Sequence, residues 1–183
     1  CKNKIIDKRK FLKSLNFFLN KKNISILKIK LRNHDFHSRF SARERTYLYL
    51  IRNDPSPSMI NHNREWNIRN KLDIDLMKIG AKKFIGTHDF STFRASNCAA
   101  KSPIRTIKKI QIIKSKKQIK IRIKSPSFLK SQVRSMVGSL KYLSEKKWDL
   151  KKFNLILKSK DRRRCAPLAP AHGLYLEIGR AHV

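Results

Sequence analysis

The chain has 183 residues, 40% of them apolar, and sets 45 lysines and arginines against 12 aspartates and glutamates, for a net charge of +33. That apolar share suffices for a buried core and excludes a disordered tail, while no apolar run is long enough to span a membrane. Cys1, Cys98 and Cys165 are odd in number and lack the spacing of a zinc site, so neither a disulfide framework nor a metal is expected, and the excess charge points to a polyanionic partner, nucleic acid first.

Taken in chain order, Phe11, Leu12, Leu15, Phe18 and Leu19 recur at helical spacing behind Asp7, which is placed to cap a first helix. Ile24, Ile26, Ile29 and Leu31 alternate with polar residues and predict a bulged strand. "RTYLYLI", residues 45–51, predicts a second strand that stops at the turn formers "NDPSPS". Residues 54–70 carry two of the chain's prolines and little periodicity, the pattern of a loop. Leu72, Leu76, Ile79 and Phe84 predict a second helix, started by Asp73 and Asp75 and closed by Gly86.

Two alternating runs, Ile104–Ile113 and Ile119–Ile123, flank "KSKKQ" and predict a hairpin with one apolar and one basic face. Leu129, Val133, Met136, Leu140 and Leu143 mark a helix from whose apolar stripe Arg134 is offset, free to reach a cleft. A short helix near 149–158, the loop "KSKDRRRCAPLAP" and a final strand at "GLYL" complete an α+β pattern with a mostly antiparallel sheet. The opening Cys1 in place of Met suggests a preceding segment, and "IGRAHV", residues 178–183, reads as a non-native tail. A cytoplasmic protein is expected, or an organellar one if a targeting segment preceded Cys1.

The chemistry open to these residues is limited. Five scattered glycines form neither a dinucleotide fingerprint nor a phosphate loop. His34 and His37 stand close together without the helix and acidic partner of a metalloenzyme. In "GTHDF", His88 and Asp89 could form an acid/base pair, but Asp89 capping backbone amides while Phe90 and Phe93 plug the core is the better reading. A strand tyrosine such as Tyr47 could stack on a base, act as a general base or simply pack.

"DFHSRFSARERTYLYLI", "FIGTHDFSTFRAS", "FLKSQVRSMVGSL" and "APLAPAHGLYL" follow one another in the order and approximate spacing of the tRNA pseudouridine synthases of the TruA family, which the chain resembles from about residue 10 to Leu176. The resemblance implies the pseudouridine synthase fold, with two ferredoxin-like halves and the first truncated: 1–53 the rest of the N-terminal half, 54–70 a linker, 71–177 the C-terminal half. It implies an isomerase that converts uridine to pseudouridine at the thirty-eighth to fortieth positions of the tRNA anticodon stem-loop, as a homodimer when full length. No metal and no organic cofactor is implied. An aspartate attacks the uridine, the base leaves the sugar, turns over and is rejoined through carbon.

Residue by residue, Tyr47 resembles the tyrosine that stacks on the uracil and assists removal of its proton. Arg134 resembles the arginine that pairs with the aspartate and helps displace the base, and Leu174 the apolar residue at the floor of the pocket. The family's nucleophile lies in a "GRTDxGVHA" type of loop that has no counterpart here, so the nucleophilic Asp is expected to be absent and the chain inactive by itself. Ala166 and Leu168 depart from the usual glycine and threonine. A non-catalytic basic RNA-binding module is the alternative, and a basic ribosome-associated protein a third reading.

Overall fold

A computed structural model describes the backbone of residues 7–38 and 40–181, and their side chains as far as residue 177. Chain contacts divide it into two units, Cys1–His37 and Ser38–Val183. Cys1 lies outside the described residues.

In the first unit α1 spans Lys8–Leu19, and the Asp7 carboxylate accepts from the Arg9 and Lys10 amides as its helix-capping position requires. Asn23 turns the chain with a left-handed φ of 57°. The Asn16 side chain then holds the Ile26 backbone on both sides, donating to its carbonyl at 2.9 Å and accepting its amide at 2.7 Å. The expected strand over Ile24–Leu31 is not formed: residues 24–33 are neither helix nor strand. Its alternation supplies an apolar face, but a strand also needs a neighbour for its ladder, and this unit holds none among the described residues. Leu27 is consequently 89% exposed.

The second unit is built on β1, Ala42–Asn53. One edge of β1 pairs antiparallel with β6, Gln118–Ser125; the other is shared by β7, Leu174–Ala181, and by a parallel β2, Trp66–Ile68. β5, Lys109–Ser115, joins β6 by the predicted hairpin. The alternation of β6 does the sorting: Ile119, Ile121 and Ile123 are fully buried, while Lys120, Arg122 and Lys124 occupy the other face. Against the apolar face lie α2, Ile74–Lys82, α3, Gln132–Ser144, and α4, Leu150–Lys158. This is the expected α+β pseudouridine synthase fold.

Several boundaries move. The 104–113 run is split at Lys108 into β4, Ile104–Ile107, and β5: β4 leaves the main sheet to pair with β3, Gly86–Asp89, while the Lys108 amide still donates to the Lys124 carbonyl. Gly86 does not close α2, which ends four residues earlier at Lys82; its φ of 108° admits the chain to β3 instead. β2 lies inside the expected loop, and β7 continues past Leu176 to Ala181. Phe84, Phe90, Phe93 and Phe153 interlock at centroid distances of 5.1 to 6.3 Å, so Phe90 and Phe93 are core plugs, and Asp89 accepts the Ser91 amide.

The basic sheet face is partly neutralised. Glu44 accepts from Lys108 and Lys124, which brings its pKa from 4.5 down to about 2, and Arg122 clasps Glu177 through Nε. Asp54, Glu145, Asp161 and Glu177 are also held below their usual values, Asp54 by Lys117, Asp161 by Arg163 and Glu177 by Arg122, and Glu145 by Lys141 and Lys147 against the opposing effect of burial. A carboxylate depressed in the folded state stabilises above its unfolded value and ceases to do so as pH falls through its folded one. The melting temperature should therefore hold steady from pH 7 down to the unfolded value of 4.5, then fall continuously toward pH 2 in circular-dichroism melts. Glu44→Gln should shallow that fall; a melting temperature that climbs on acidification would contradict it.

Candidate active site

Tyr47 sits at the middle of β1 with its ring half-buried, edge-on to Phe128 at 5.1 Å and 83°. Two residues along the strand, Tyr49 points to the same face but is fully buried, and its hydroxyl donates to the Pro170 carbonyl at 2.7 Å. Burial pushes the Tyr49 phenol well above its usual range, so it remains a neutral donor. This bond ties the loop before β7 to the sheet, and α3 ties it a second time. Arg134 Nε donates to the Ala169 carbonyl at 2.6 Å, and the Ala169 amide donates back to the Arg134 carbonyl at 3.2 Å. With the loop held at both points, Leu174 enters β7 opposite Tyr49.

The three residues singled out by the resemblance, Tyr47, Arg134 and Leu174, line one cavity of about 630 Å³. Its other walls come from Cys98–Ala100 and from the 127–133 stretch that leads into α3. Four of its side chains are cationic, Arg45, Arg105, Lys130 and Arg134, and none is a carboxylate among the described residues. Arg45 donates to the Pro126 carbonyl at 2.6 Å, and Arg105 Nη1 to the Ser102 and Ile104 carbonyls. The terminal nitrogens of Arg134 have no partner among the described residues, so its fork is available to an anion. A flat ring between Tyr47 and Leu174, with a carboxylate on Arg134, is what this arrangement can hold.

His88 and Asp89 lie elsewhere, in a cleft with Lys83, Asn154, Leu157, Lys158 and Lys160. His88 Nε2 bonds the Ile85 carbonyl at 2.9 Å; burial opposes the ionisation of Asp89, but the Ser91 bonds and Lys160 outweigh it and lower its pKa. The pair serves its own turn and does not face Tyr47. Phe128, Arg105, Gln132 and Cys98 were not anticipated at the site. The first of them carries a legible signal, an aromatic residue just ahead of an amphipathic helix, and Gln132 opens that helix; Cys98 and Arg105 are brought in by the irregular stretch at 98–100 and by β4.

The two cysteines among the described residues differ in reactivity. Backbone hydrogen bonds from Ala100 and Lys130, helped by Arg94 and Arg105, hold the Cys98 thiol below its usual pKa, whereas burial pushes Cys165 up. More thiolate at neutral pH means faster alkylation, so iodoacetamide should label Cys98 at least about tenfold faster than Cys165. Peptide mapping by mass spectrometry gives the two rates, and equal labelling would contradict the assignment.

Comparison with known proteins places the chain among its relatives. A family model described as tRNA pseudouridine synthase matches residues 81–178. The tRNA pseudouridine synthase A of Pelagibacter ubique strain HTCC1062 is 57% identical over 177 residues, which cover 97% of this chain and 72% of the relative. That of Brucella anthropi is 40% identical over 153 residues, covering 84% of this chain and 61% of the relative.

Proposed function

Because the chain belongs to the tRNA pseudouridine synthase family, we propose that it forms the base-handling part of an enzyme that isomerises uridine to pseudouridine in the anticodon stem-loop of tRNA, at the thirty-eighth to fortieth positions. The observation that carries this reading is the convergence of Tyr47, Arg134 and Leu174 on one cavity that is rich in cations and lacks a carboxylate among the described residues. A uridine flipped out of its stack would lie against Tyr47 and over Leu174. The aspartate that attacks the sugar comes from a segment outside this chain and is oriented and kept ionised by the Arg134 fork. The bond between the sugar and the base nitrogen breaks as the carboxylate bonds to the sugar, the uracil turns, and its carbon five bonds to the sugar while the bond to the carboxylate breaks and frees the aspartate. The proton on that carbon leaves with the help of Tyr47 and the ring nitrogen gains one, so atoms balance and no cofactor takes part. Residues 1–53 and 71–177 then belong to the two halves of the synthase, a homodimer when complete.

The carboxylate-free cavity also favours a second reading for the chain alone, a module that binds RNA without changing it. Release of tritium from stem-loop RNA carrying uridine labelled at carbon five separates them. The isolated chain should release none. Supplemented with the part of the Pelagibacter ubique relative that it does not match, it should release label in step with pseudouridine formation. Release by the isolated chain overturns the view that the aspartate comes from elsewhere; no release from the supplemented one overturns the enzymatic reading.

A further inference from the structure

α3 begins without a cap. Its N-cap residue Ser131 is left-handed, φ 64°, makes no capping bond through its side chain, and is followed by no acidic residue in the first turn. The Gln132 amide bonds the Leu129 carbonyl and the Ser135 amide the Ser131 carbonyl, but the amides of Val133 and Arg134 meet no acceptor among the described residues. Unpaired amides at the positive end of a thirteen-residue helix attract an anion. A second observation points the same way. Gln132 is fully buried in the cavity wall, and its Oε1 accepts the Leu129 amide at 2.8 Å, which fixes the amide orientation and turns Nε2 away from that bond. Nε2 is buried with no partner among the described residues, and so is Nε of Arg105 on the same cavity. Four donors in this wall thus lack an acceptor among the described residues, beside the cationic Lys130.

The proposed uridine and its attacking aspartate supply too little charge for this wall. Uracil is neutral, and the aspartate is taken by the Arg134 side chain. The anions that a flipped uridine brings with it are its flanking phosphates. We infer that the amino end of α3, with Gln132, Arg105 and Lys130, is a binding site for one phosphodiester of the RNA next to the flipped uridine. This site rests on the proposed uridine-binding cavity and adds to it a grip on the backbone, which places the sugar for attack.

Methylphosphonate substitution tests it, because it removes the charge of one phosphate and leaves the base untouched. Stem-loop RNAs carrying it on the 5′ or the 3′ side of the target uridine are titrated with the 183-residue chain and compared with native RNA. One of the two should bind about tenfold more weakly, as expected for a single anion held by helix amides and charged donors. Ser131→Asp places a competing carboxylate at the helix end: it should weaken native RNA to the same degree, leave that methylphosphonate RNA bound as by the parent, and not lower the melting temperature. Ser131→Asn, which also tolerates the left-handed backbone, should bind as the parent does. Should Ser131→Asp fail to fold, Lys130→Gln at its exposed position runs the same cycle. Equal binding of native and both substituted RNAs overturns the site, as does a Ser131→Asp penalty independent of the phosphate. Tritium release by the supplemented chain judges the enzymatic reading separately.

Discussion

Arg134→Ala in the supplemented enzyme is expected to lower kcat for uridine isomerisation about a thousandfold, with a far smaller change in KM, the signature of an interaction that matters most at the transition state. The guanidinium is not a mobile surface charge. Nε is fixed on the Ala169 carbonyl at 2.6 Å, so the other edge of the fork is presented to the cavity in one orientation. Truncation leaves the attacking carboxylate without its two-pronged partner. Arg45, Arg105 and Lys130 keep the cavity positive, but Arg45 and Arg105 already donate to backbone carbonyls. Arg134→Lys retains the charge and loses the fork, and should recover only a small part of the rate. The loss in stability should stay near that of one hydrogen bond, about 1 kcal/mol, because the reciprocal bond from the Ala169 amide is backbone to backbone and survives. Single-turnover rates beside thermal melts separate the two effects, and an Arg134→Ala enzyme within tenfold of the parent would remove Arg134 from the mechanism.

Gly138→Ala should be among the most destabilising single substitutions in the chain. In a solvent-exposed helix the same change would gain about 1 kcal/mol from propensity. Here the added Cβ would lie 2.1 Å from the Pro167 carbonyl oxygen and 3.3 Å from its carbon. The obstacle is backbone, and it cannot yield easily: Ala166 and Ala169 are buried, Arg134 holds Ala169 twice, and Tyr49 holds Pro170. Overpacking of that kind costs about 2 to 4 kcal/mol net of the propensity gain. Urea titration should show a lower midpoint at unchanged slope, and the supplemented enzyme should also slow, since a displaced loop shifts Ala169 away from Arg134. A variant as stable as the parent would show that α3 and the loop are not in close contact.

Those two residues also show what the sequence makes legible. Gln132–Ser144 is readable because its apolar spacing is regular, and Arg134 is picked out as the cation set beside that stripe. β6 is readable from strict alternation, and Tyr47 from its place in a β-rich run. What is hidden depends on neighbours. β2 is three residues long inside a proline-containing stretch and exists because β1 offers it a parallel edge. β4 and β5 read as one strand because nothing local marks Lys108 as the point where the chain changes sheets. Ile24–Leu31 has a strand's pattern and no partner among the described residues of its unit, which periodicity cannot reveal. The uncapped end of α3 is equally silent: a serine before an amphipathic helix reads as a cap, and only the left-handed φ of Ser131 shows that it is not one.

The claim on which the rest depends is that a uridine enters the cavity between Tyr47 and Leu174. Photocrosslinking locates it: stem-loop RNA with 4-thiouridine at the target position is irradiated with the chain, and the adducts are mapped by mass spectrometry. Crosslinks to Tyr47, Phe128 or other residues lining that cavity, lost when unlabelled stem-loop RNA competes, are the predicted result. Crosslinks confined to Lys120, Arg122 and Lys124 on the opposite face of the sheet would contradict it, leaving a basic surface that holds RNA without taking up the base.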